Sequence, residues 1–201
     1  MTLTTTLITI SVALALISPI VYGVSMVQGR SKPARMTRFI VWLAASISFF
    51  SLWADGSTGA VWLAGVFAFR NTFLFLMSLK YGMGGVATID KYSLVIAIAG
   101  LVGWQLSGDP LIALLFAILA DFVVFIPALV KTYKEPNTEG PWFYYIETTA
   151  VLLNIVVIGA WSIDLLFPVH ILISNVLMIG LIFRGRLMSL VKTKNHPPNS
   201  E

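Results

Sequence analysis

Arg70 and Asn71 stand side by side in the middle of Ala60–Lys80, AVWLAGVFAFRNTFLFLMSLK, a stretch otherwise apolar enough to cross a bilayer. A guanidinium at that depth costs at least about 3 kcal/mol on insertion scales, so a partner, a water-filled cavity or a working site must answer it. Asp121 falls at comparable depth in another apolar stretch, and the sequence predicts an Arg70–Asp121 ion pair. Such a pair has two uses: a solute contact or protonation site at Asp121 tuned by Arg70, or a static contact that fixes helix registry without adding stability. Asn71 and Asn175 can each donate and accept, which suits hydroxyl-rich or amide-bearing solutes. Their plainer use is interhelical bonding, worth about 1 kcal/mol.

Glu147 can act as a gate residue facing Lys131 or the basic first loop, although a carboxylate reaching back to the interface is the simpler expectation. His170 can relay protons, but a lone histidine in an apolar helix is first expected to be a packing residue, as is Asn154. Trp42 is placed near a pocket; Trp53, Trp62, Trp104, Trp142 and Trp161 are expected at the membrane interfaces.

Several chemistries are excluded. Two histidines and no cysteine leave no HExxH or thiolate zinc site, and no GxxxxGK[ST] loop is present for a nucleotide. A retinal Schiff base needs a lysine in the last span, and none lies between Ile163 and Phe183. An enzyme using Asp121, Glu147 and His170 as acid and base would need these three to converge across depths that differ from the inner to the outer half. No enzymatic activity, metal or cofactor is therefore expected.

The elements that carry these residues follow from hydropathy. With 58% hydrophobic and 11% charged residues and a mean hydropathy of +0.89, the chain reads as an all-α integral membrane protein. Spanning segments must satisfy their own backbone bonds, and the alternation of a barrel is absent. Seven spans are expected: Leu3–Val27, Thr37–Ala54, Ala60–Lys80, Lys91–Ser107, Pro110–Thr132, Trp142–Trp161 and Ile163–Phe183. Residues 81–90, with Gly82, Gly84 and Gly85, read as a flexible loop, and 187–201 as a disordered basic tail. The first span lacks a basic leader and is followed by Arg30, Lys32, Arg35 and Arg38, unlike a signal peptide.

With seven spans, every lysine and arginine except Arg70 falls on one side, opposite Asp55, Asp109 and Asp164. That segregation predicts a cell-membrane protein with its amino terminus outside and its carboxyl terminus in the cytoplasm. The positive charge thus marks topology and anionic lipid, not nucleic acid.

The first and last three spans also echo one another. Pro127 follows Pro19 by 108 positions; Asn175 follows Asn71, and Arg184 follows Lys80, by 104. An odd helix between the two units gives a parallel repeat: 1–81 and 110–186 as two three-helix bundles, with 82–109 as a linking loop and helix.

This 3+1+3 pattern, with a proline near the basic end of each first helix and an asparagine within each third helix, resembles the PQ-loop and SWEET transporter group along the whole chain. Where that group has Pro-Gln, this sequence has Pro19-Ile20 and Pro127-Ala128. The resemblance implies a central pocket contacted by Asn71 and Asn175, with Pro19 and Pro127 as hinges for alternating access. The expected function is transport of a small polar solute, sugar- or vitamin-like, with Arg70, Asp121 and Trp42 also at the pocket and Glu147 as gate; a homo-oligomer is compatible with it. A receptor or sorting protein of the same fold is the alternative.

Overall fold

The computed structural model describes residues 3–29, 33–134, 141–159 and 161–195, the last of these beyond 184 by backbone alone. Seven helices are long and apolar enough to cross a membrane, which fits a multi-pass membrane protein: α1 (Leu3–Val27), α2 (Arg35–Ala54), α3 (Ala60–Tyr81), α4 (Thr88–Ser107), α5 (Pro110–Lys134), α6 (Pro141–Ile158) and α7 (Leu166–Asn195). The expected spans are recovered, with differences at their ends. A Gly159 φ of +67° stops α6 before Trp161, and a 3-10 turn, Ile163–Leu165, precedes α7. α7 runs on to Asn195, so residues 187–195, expected as irregular tail, are helical. Arg30, Lys32, the 135–140 loop and the 196–201 tail lie outside the described residues.

Local chemistry sets the other boundaries. Gly108 ends α4 in the left-handed conformation, at φ +72°. Pro110 then opens α5, its missing N–H costing nothing at a first helical position, while Asp109 Oδ1 accepts from the Leu111 amide at 2.9 Å. At the other end of α4, Asp90 accepts from the Ala87 amide at 2.9 Å and from Thr37 Oγ1 of α2 at 2.8 Å. The 82–87 segment is therefore not a free loop. Met83 donates to the Pro33 carbonyl and Arg35 to the Met83 carbonyl, a short parallel bridge between Ala34 and Met83.

Short connections alternate the helix directions. Arg35, Arg38, Lys80, Lys91, Lys131, Lys134 and Arg184 consequently gather at one end, called the basic end below, and Asp55, Asp109 and Asp164 at the opposite end. α1 packs on α3 and α6, α2 on α3 and α5, and α7 on α5 and α6, so α1, α3, α2, α5, α7 and α6 follow one another around a closed ring. α4 lies outside, against α5 and less extensively α2. That outer seam is built of small side chains, Ala44, Ala97, Ala113, Ala117 and Ala120, which let helices approach closely where lipid supplies no hydrophobic drive.

The main buried cluster lies toward the opposite end and draws on all six helices other than α4: Ala15, Leu52, Leu63, Phe67, Leu114, Val151, Phe167 and Ile171 all belong to it. A second, at the basic end, gathers Tyr144, Met178 and Ile182 with Phe125 and Phe143. Between these two apolar layers sit the polar residues. Trp53, Trp62, Trp142 and Trp161 are exposed near helix ends, as an interfacial belt requires.

Candidate functional site

Every polar residue of the site except Asp121 lies on the buried stripe of its helix. On α3 the buried positions are Ala60, Leu63, Ala64, Phe67, Arg70, Asn71, Leu74 and Ser78, a helical repeat that turns Arg70 and Asn71 inward. On α6 they are Pro141, Tyr144, Glu147, Ala150, Val151 and Asn154. On α7, His170, Ser174 and Asn175 follow the same face as Phe167, Ile171 and Met178. Asp121 is half-buried on α5, beside the buried Ala120 and Val124.

The ion pairing differs from the expected one. Arg70 Nη1 pairs with Glu147 Oε1, joining α3 to α6, and not with Asp121. Its guanidinium also lies 3.7 Å over the Phe67 ring and 5.9 Å from that of Phe143, contacts that favour a cation on an aromatic face. Asp121 is instead beside His170, Oδ2 to Nε2 at 3.2 Å, joining α5 to α7.

Neighbourhood and lean explain the exchange. α3 packs against α1, α2, α6 and α7, whereas α5 packs against α2, α4 and α7, so α7 offers Asp121 the nearer partner. On α3, Arg70 lies about 16 Å below Gly59; on α6, Glu147 lies about 10 Å below Asn154, at 1.5 Å rise per residue. Asn154 Nδ2 bonds the Gly59 carbonyl at 3.3 Å, so these two starting levels coincide. Helical side chains tilt toward their own amino terminus, and in an antiparallel pair that tilt brings Arg70 and Glu147 toward each other.

Glu147 is accordingly buried, 4% exposed, and does not reach back to the interface as expected. His170 is buried too, and neither ring nitrogen has a well-aligned hydrogen bond. Among the three residues of the acid–base reading, Asp121 and His170 are adjacent while Glu147 is bound to Arg70.

The two asparagines are both buried, but differently bonded. Asn71 Nδ2 donates to the Phe67 carbonyl of its own helix at 2.9 Å. Asn175 Nδ2 and Ser174 Oγ have no hydrogen-bond partner among the described residues. A buried polar group left so costs about 1–3 kcal/mol, which makes α7 the helix with most to gain from a polar ligand. Trp42 is half-buried, and its indole N–H is already engaged by Thr72 Oγ1 at 2.9 Å while its ring stacks on Phe75, at 5.5 Å and 17°. Pro19 is buried within α1 and Pro127 exposed on α5, each inside an unbroken helix.

Sequence reasoning missed Glu147 as the partner of Arg70 and Ser174 as a member of this layer; Ser174 was open to detection by extending the buried stripe of α7, the partnership was not. At the opposite end, Asp164 Oδ2 is 3.4 Å from the Gly59 amide. No family model matches the chain, and no curated protein and no solved structure is similar to it.

Proposed function

We propose that the chain is a carrier that moves a small polar solute across the membrane by alternating access, in the manner of the PQ-loop and SWEET group. One observation carries the reading: four helices of an apolar ring bring Arg70, Glu147, His170, Ser174 and Asn175, all buried, together with the half-buried Asp121 into one polar layer. Ionisable residues at bilayer depth are costly and mark solute or ion paths. The two moving units are the bundles α1–α3 and α5–α7, with α4 as linker, the amino terminus outside and the basic end in the cytoplasm.

Contacts from α3 to α6, α7 and the turn before α7 run from Gly59 through Phe67, whose ring meets Phe167 edge-on at 5.4 Å, to Arg70. In this reading they hold the outer end shut, and the solute meets Asn175 and Ser174 from the cytoplasmic side. Opening outward requires the Arg70–Glu147 pair to part, so that pair is the gate.

The test is solute-induced thermal stabilisation of the purified protein over sugars, vitamins, amino acids and nucleosides, followed by uptake of any stabilising solute into proteoliposomes. A ligand specific to the folded state raises Tm by mass action. One solute class that stabilises wild type but not Asn175→Ala, and that is taken up saturably, is the expected result. A solute that binds without uptake supports the receptor reading instead, which the helical extension of α7 past Arg184 toward Asn195 would serve as a docking arm.

A further inference from the structure

A trough of about 320 Å³ opens on the outer surface of the ring between α1 and α3, lined by Ile20, Gly23, Val24 and Val27 from one helix and Phe73 and Met77 from the other. It is apolar along its length and closes at Gln28, near the basic end. Apolar surface by itself selects nothing in a bilayer, because lipid tails are as apolar as the side chains they touch. A concave trough whose polar boundary falls at headgroup depth does select.

Among the described residues, α3 supplies a charge at that boundary. Phe73, Met77 and Lys80 are spaced i, i+4, i+7 and share one face of the helix, which puts Lys80 about one turn beyond Met77. Lys80 is exposed, with its ammonium 5.2 Å from the Tyr81 ring centroid, an aromatic–cation pair of the kind that sits at headgroup level.

We infer that this trough binds an anionic phospholipid, with one acyl chain between α1 and α3 and the headgroup phosphate at Lys80. The site needs only that the chain spans a bilayer, and it is separate from the buried polar layer. A lipid held there would touch α1 and α3 together and so favour the arrangement of those two helices.

Native mass spectrometry of the protein titrated with phosphatidylglycerol or phosphatidylcholine tests it. Phosphatidylglycerol is expected to remain bound where phosphatidylcholine dissociates. Lys80→Gln should weaken the complex about fivefold, the worth of one cation near an anionic headgroup; Lys80→Arg should keep it, and Lys91→Gln, at the exposed start of α4, should leave it unchanged. Val24→Phe, which fills the trough from an exposed wall, should displace the lipid while Tm in detergent holds. Equal retention of the two lipids, retention of phosphatidylglycerol by both Lys80→Gln and Val24→Phe, or a dimer mass that Val24→Phe abolishes, would each overturn the proposal, the last by giving the trough to a second copy of the chain.

Discussion

Asn154 donates to the carbonyl of Gly59, and with that bond the carboxyl-terminal part of α6 is fixed against the first residue before α3. Asp164 Oδ2 approaches the amide of the same glycine, so both backbone groups of Gly59 face side chains from the carboxyl-terminal half. Asn154→Ala should lower stability by about 1 kcal/mol, the net worth of one hydrogen bond. Gly59→Ala should cost more, about 1–3 kcal/mol, because an added Cβ would sit 3.0 Å from Ile158 Cγ1. Equilibrium unfolding in mixed micelles reads both, and Ile158→Ala should relieve the second. Loss without relief would mean that the backbone, not the contact, is at fault.

The Arg70–Glu147 pair makes a sharper prediction. Removing one partner from a buried pair leaves an unanswered charge, at a cost of about 3–5 kcal/mol, whereas replacing both with apolar residues is often neutral. Arg70→Met and Glu147→Leu should each lower Tm strongly, and the double variant should return close to wild type. Additive losses in this cycle would show that the two groups are not coupled.

How far these relationships could be read beforehand differs from residue to residue. The seven spans and the α4–α5 boundary were legible because hydropathy and the turn residues Gly108 and Pro110 act locally, while the ends of α6 and α7 were not. The inward face of α3 was legible as well, since Arg70 and Asn71 share a helical repeat with alanine and leucine, whereas Glu147 on α6 was expected at the interface and is buried. Partners were not. Estimating depth from helix ends paired Arg70 with Asp121, but which helices adjoin is decided by packing across the ring, and that leaves no local trace in sequence. The same limit hid the fastening of residues 82–87, whose glycines describe a flexible chain while their partners lie around Pro33.

Ser174 and Asn175 should behave unlike ordinary buried polar residues. Their unpartnered atoms make the ligand-free fold less stable than it would be with apolar side chains there. Ser174→Ala and Asn175→Leu should therefore raise stability by about 1 kcal/mol while abolishing any solute-induced shift in Tm. A fall in Tm for both variants would show that these groups are bonded in the resting protein.

Topology can be tested without background labelling, since the chain contains no cysteine. Single cysteines at Asp55 and Asp109 should react with an impermeant maleimide on intact cells, and those at Lys91 and Lys134 only after permeabilisation. The reverse pattern would invert the proposed orientation.

The bridge between Ala34 and Met83 ties the start of α2 to the stretch that follows α3, so it bears on how the protein is made. The backbone pairing of Pro33 and Arg35 with Met83 cannot form until the chain through Met83 has left the ribosome, by which time α1, α2 and α3 have all been made. Their settling thus waits on the end of the third helix, and an insertion between Tyr81 and Met83 should show itself first as degradation of the nascent chain, before any change in the folded protein is measured.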